Sequence, residues 1–152
     1  MKRLMYVAPL ALAIISLSQT AWAESAAKIL FTCAIGAKTV SVTAAGKSLT
    51  YHYGTAQKDE ITIVGSVAAK NVFEMSQRYA GMEYQLRFTN AGVSYIVYSA
   101  EGNPQMGATA ISGLMVLRGT KTVADKSCAR WSEVTLPDDL TLPQDTAAYS
   151  AM

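Results

Sequence analysis

From residue 28 onward, apolar and polar positions alternate in short runs separated by turn residues. Residues 28–33 form an apolar-aromatic run, and Gly36 marks the first turn. Residues 39–43 set Val40 and Val42 on one side. Residues 48–53 set Leu49, Tyr51 and Tyr53 on one face and Thr50 and His52 on the other, and residues 60–64 align Ile61 with Ile63. The clearest hairpin is central: Tyr84, Leu86 and Phe88 alternate with Gln85, Arg87 and Thr89, then Asn90-Ala91-Gly92 turns the chain into residues 93–99. Residues 111–118 and 121–124 follow around Gly119. A period of two is the strand signature, because successive side chains of an extended chain point to opposite faces. Residues 72–79 are ambiguous: Val72, Phe73 and Met75 suit a strand or one helical turn. The pattern predicts an all-β protein, a small antiparallel β-barrel or sandwich of about seven to eight strands. Barrel closure is attractive because it removes open sheet edges.

The first 23 residues break this pattern. Lys2 and Arg3 precede an uncharged apolar run over residues 4–17, and Ala21-Trp22-Ala23 fits the small-x-small rule for signal peptidase. The run is shorter than the roughly 20 residues that span a bilayer. No Cys follows the small residues, so the expectation is a cleaved bacterial leader and a soluble periplasmic product. Three segments result: a signal peptide over 1–23, a β domain over 24–130, and an extended or disordered C-terminal tail over 131–152. The tail carries two prolines in a short repeat, Thr135-Leu136-Pro137 and Thr141-Leu142-Pro143. Loss of Lys2 and Arg3 leaves eleven basic against eleven acidic residues, so the net charge of +2 falls to zero. A neutral chain without a basic run lacks the electrostatic footprint for nucleic acid or a membrane surface.

In an oxidising compartment two cysteines usually pair, which predicts a disulfide between Cys33 and Cys128. Such a bridge would bring both ends of the β domain together. With the cysteines joined and His52 the sole histidine, the common zinc ligand sets cannot be assembled, and no metal or other cofactor is expected. A Ser-His-Asp site would need His52, which sits inside a predicted strand. Asp59-Glu60 and Asp138-Asp139 are adjacent pairs, so in extended chain their carboxylates diverge. Phosphate-cradling glycine loops are missing from the sequence. The chain is read as a binding protein, not an enzyme. Candidate contact regions are the Gly/Asn/Pro loop over residues 100–110 and the hairpin over residues 90–95, because loops on a rigid sheet often carry recognition. Arg78, Tyr79, Tyr84 and Arg87 add residue types enriched at protein interfaces.

Several segments carry a resemblance: Phe31-Thr32-Cys33, Leu49-Thr50-Tyr51-His52-Tyr53-Gly54, Phe88-Thr89-Asn90 with Tyr95-Ile96-Val97-Tyr98, and Ser112-Gly113-Leu114-Met115-Val116. Over residues 28–128 the chain is similar to a group of uncharacterised secreted proteobacterial proteins. Its layout resembles small periplasmic and membrane-bound bacterial inhibitors of c-type lysozyme. In those inhibitors a Ser-Gly-rich motif ending in Tyr and a Lys-Gly element plug the lysozyme cleft. Gly92-Val93-Ser94-Tyr95 matches part of the first element and Ser112-Gly113 is a second fragment. The region after residue 23 has no Lys-Gly pair. The resemblance implies Ser94, Tyr95 and Ser112 as partner-binding residues, and a protein partner such as a cell-wall hydrolase or a toxin. A periplasmic carrier of a small apolar ligand is the alternative function. A hydrolase built on His52 or on converging carboxylates is a third.

Overall fold

The computed structural model describes residues 26–78 and 80–147. The expected leader, Tyr79 and the last five residues lie outside them. Nine strands form two antiparallel sheets. The first sheet contains β1 (Lys28–Ile35), β2 (Lys38–Ala45), β3 (Ser48–Thr55) and β4 (Lys58–Gly65) in that order. The second contains β5 (Val72–Arg78), β6 (Met82–Asn90), β7 (Val93–Ala100), β8 (Ile111–Arg118) and β9 (Lys121–Ser127). Every ladder joins sequence neighbours, as expected where tight turns replace crossovers. The ambiguous residues 72–79 contain strand β5.

The strand count is corrected, with nine among the described residues rather than seven or eight, and of the barrel and the sandwich left open by the sequence the barrel is excluded, because the two sheets do not close. A physical reason lies in one edge of each sheet, β1 and β5, which the chain covers with its own C-terminal segment. Residues 129–135 run antiparallel beside β1, with Ala129 N–H donating to Ala34 C=O at 2.9 Å and Thr135 N–H to Leu30 C=O at 3.0 Å. Further on, Glu74 N–H donates to Pro143 C=O at 3.0 Å and Asp145 N–H to Glu74 C=O at 2.7 Å, which occupies the edge of β5. An edge satisfied in this way has no need of barrel closure.

The main core lies between the sheets, and a second buried cluster of Ile96, Tyr98, Met115 and Leu117 lies on the other face of the second sheet. Val40, Val42, Leu49, Tyr51 and Ile63 of the first sheet pack with Val72, Leu86, Phe88, Val97 and Leu114 of the second. The Tyr51 ring centroid is 5.7 Å from that of Phe88 and 5.4 Å from that of Tyr95. A bulge between Ile29 and Phe31 buries both Leu30 and Phe31, where strict alternation would bury one. Cys33 and Cys128 are bonded, with Cα atoms 5.2 Å apart, inside the usual range for such bridges.

The segment after the bridge crosses one end of the second sheet. Ser76, Tyr84, Ser99 and Ser112 form a cross-strand row on its inner face. Ser132 N–H donates to Ser112 Oγ and Val134 N–H to Ser99 Oγ, both at 2.9 Å. Because the same segment lies along β1, β1 runs across β8 and β7 instead of following them. The Thr-Leu-Pro repeat has a structural meaning here. Leu136 and Leu142 both pack into the core, while Thr135 caps the edge of β1 and Pro143 that of β5.

Candidate functional site

The alternation that buries Val40, Val42, Leu49 and Tyr51 turns a hydroxyl-rich face of the first sheet toward solvent. Thr suits this position because its branched side chain packs on a pleated surface and its hydroxyl stays wet. Two rows cross the four strands: Ile29, Thr43, Thr50 and Val64, then Thr32, Ser41, His52 and Thr62. The first row ends in apolar side chains on both sides, Ile29 at 63% exposure and Val64 at 61%. In the second, His52 Nδ1 lies 2.7 Å from Asp59 Oδ2. At one end Lys38 Nζ meets Glu60 Oε2 at 2.6 Å and sits 5.2 Å from the Tyr53 ring centroid. The hydrogen bond to Glu60 raises the Lys38 pKa above its ordinary value.

Ser41 faces His52 across the ladder, so serine, imidazole and carboxylate are neighbours. They lie on an open face, and none of the three lines any of the four cavities described for the protein. No hydrogen bond joins Ser41 to His52 among the described residues. Nor does any group of three or more His, Cys, Asp or Glu side chains there converge to hold a metal ion.

At the margin of this face an open groove of about 390 Å³ runs between β1–β2 and the segment that follows Cys128. Thr32, Ala34 and Thr39 form one wall and Arg130, Trp131 and Ser132 the other. Trp131 is 45% exposed, yet its indole Nε1–H donates to Ala100 C=O at 3.2 Å. The backbone around it is fixed at Cys128, Ala129 and Ser132 by the bonds to Ser112, Ala34 and Ser112 again. A second cleft, of about 320 Å³, opens where the segment leaves the serine row, with Glu74, Ser76, Tyr84 and Glu133 on its walls. Burial raises the Glu74 pKa there, and the amide of Gln144, donating at 2.9 Å, opposes the rise.

The residues singled out from the sequence are not brought together. Ser94 lies half-buried on the outward side of β7, whereas Tyr95 points inward against Tyr51. Ser112 is buried next to Ser99, at the opposite end of β7 from Ser94, and its hydroxyl already serves Ser132. Of the aromatic-basic group, Tyr84 lines the second cleft. Arg87 is held by Asp145 through two contacts of 2.6 Å and lies 4.4 Å from the Phe73 ring centroid, and Tyr79 is outside the described residues. The loop over residues 101–110 folds back on itself, with Asn103 and Ala108 exchanging two backbone bonds around a 3-10 turn at Pro104–Met106. Sequence reasoning passed over Trp131. Its signal was slight: a tryptophan three residues beyond the second half-cystine. No family model, curated protein or solved structure matches the chain.

Proposed function

We propose that the protein is an exported, non-catalytic module that holds another protein against the outward face of its four-stranded sheet, and that the partner is a cell-wall hydrolase of the lysozyme type. The observation that carries this reading is the row Ile29, Thr43, Thr50 and Val64, a cross-strand strip with exposed apolar groups at both ends. Desolvating such groups within a contact contributes to the stability of protein complexes. The aromatic-x-Cys element at the start of the β domain, part of the layout that resembles the lysozyme inhibitors, supplies Thr32 to this face. The leader pattern and the disulfide are compatible with export.

The carrier alternative has less support. A small apolar ligand needs an internal chamber, and the space between the sheets is filled by Phe31, Leu49, Tyr51, Leu86 and Phe88, all fully buried. The test is direct. Purified exported protein is added in increasing amounts to c-, g- and i-type lysozymes acting on cell walls. Activity of one of them falls and saturates at one module per enzyme. Ile29→Glu and Val64→Glu each weaken inhibition about tenfold, the effect of setting a charge against a desolvated contact, without shifting the melting temperature. Full activity of all three enzymes at a large excess of module removes the hydrolase as partner.

A further inference from the structure

The groove beside Trp131 has a chemistry different from the sheet face it adjoins, and it does not depend on what that face binds. We infer that it is a binding site for a sugar ring carrying a carboxylate. Three features select this ligand class.

The first is the platform. An indole that is nearly half exposed is normally free to turn, but Trp131 is pinned through its ring N–H to Ala100 C=O and through its backbone neighbours to β1 and β8. A fixed aromatic face, negative at its centre, suits the weakly positive C–H groups on the apolar side of a pyranose ring. The second is the rim. The hydroxyls of Thr32, Thr39 and Ser132 line the groove and have no partner among the described residues, so they are available to a ligand rich in hydroxyls. The third is the charge. Arg130 is the single charged residue lining the groove. It forms no ion pair among the described residues, and its guanidinium matches a carboxylate with two parallel hydrogen bonds.

The same features disfavour a peptide. An extended peptide would seek the edge of β1, but the carbonyls of Leu30 and Ala34 on that edge are already taken by Thr135 and Ala129. An apolar side-chain anchor would seek a deep pocket, and beside Trp131 the apolar side chains lining this open groove are the methyl groups of Ala34 and Ala129. The volume of about 390 Å³ holds one ring with room for a substituent.

The experiment uses the exported protein labelled with ¹⁵N and follows the indole N–H resonance of Trp131. It compares N-acetylmuramic acid, N-acetylglucosamine, which is the same ring without the lactyl carboxylate, and lactate, which is the carboxylate without the ring. N-acetylmuramic acid shifts the indole resonance saturably, and N-acetylglucosamine binds roughly tenfold more weakly, the contribution of one exposed charge-assisted pair. Lactate gives no saturable shift. Arg130→Gln, a substitution on an exposed side chain, makes the two sugars equivalent. Equal binding of both sugars by the unsubstituted protein, a lactate response as large as that of the acidic sugar, or no saturable shift with any of the three overturns the assignment. Failure here leaves the sheet face untouched, and failure of lysozyme inhibition leaves the groove untouched.

Discussion

Tyr51 shows how a single buried atom couples packing to pH. Its ring fills the centre of the core against Phe88 and Tyr95, but its hydroxyl is buried without a hydrogen-bond partner among the described residues. Such a group has lost its water and gained nothing in exchange. Burial is also the main cause that pushes its pKa far above the ordinary tyrosine value, and burial with help from Asp125 pushes Tyr98 up to about 12. The sign of the linkage follows. In the unfolded chain both phenols lose their protons near pH 10, whereas the folded protein keeps them. Their contribution to stability is complete below pH 10 and is lost as pH rises through 12 and beyond. Tyr51→Phe therefore has two expected effects in urea titrations. At pH 7 the protein is unchanged or more stable by up to about 1 kcal/mol, since an unsatisfied hydroxyl is removed at almost constant volume. Between pH 10 and 12 its stability falls less steeply than that of the parent. A loss of several kcal/mol at pH 7 would show that the hydroxyl has a partner after all. The alternation of Leu49, Tyr51 and Tyr53 places this ring in the core from sequence alone, but nothing in a sequence tells whether a phenol finds an acceptor.

At the scale of elements, the strands were legible and their edges were not. Runs such as residues 83–89 carry the period of two on their face, and the Asn90-Ala91-Gly92 turn is marked by its glycine; in the structure Ala91 and Gly92 both adopt positive φ, 49° and 77°. The ambiguity of residues 72–79 has a simple origin. β5 is an edge strand with exposed Ser76, Gln77 and Arg78, so half of its alternation is washed out. The C-terminal segment hid its role for a related reason. Its apolar side chains are few and widely spaced, and its partners are hydroxyls on β7 and β8, a long-range pairing with no local period. Ser112 stood out as a candidate contact residue, and the contact it makes is with Ser132 of its own chain. Ser99 and Ser112, the two serines of the inner row that bond the segment, should therefore matter to folding. Ser99→Ala leaves the buried N–H of Val134 unpaired, and the expected cost is about 1–3 kcal/mol in a denaturant titration. Ser94→Ala, half-buried on the same strand and facing outward, should change stability by no more than about 0.5 kcal/mol. Equal effects at the two positions would mean that the segment is not docked on the serine row.

For the whole molecule, the sulfur bridge and the segment beyond it act as one closure. The bridge fixes Cys128 against β1, and from that point residues 129–135 run along β1 while crossing β8 and β7. The two sheets share no ladder of hydrogen-bonded strands, so they are joined by core packing, by this closure and by the connection from β4 to β5. The cysteine count and the expected oxidising compartment made the bridge legible. The crossing of the sheets was not, because it depends on where the chain travels after its patterned strands end. Opening the bridge frees a separation of 95 residues in the unfolded chain, which by loop entropy alone destabilises the fold by roughly 4–5 kcal/mol. The paired substitution Cys33→Ser with Cys128→Ser tests both parts of this closure. Its unfolding midpoint in urea should fall by a margin equivalent to several kcal/mol, with a steeper slope because the unlinked chain exposes more surface when it unfolds. Trp131 lies three residues past the bridge, so its fluorescence in the native baseline reports whether the groove keeps its shape when the covalent link is gone. A midpoint unmoved by the double substitution would place the holding force in the hydrogen bonds to Ala34, Leu30, Ser99 and Ser112. A lowered midpoint with unaltered native emission would assign stability to the bridge and the position of the indole to those bonds.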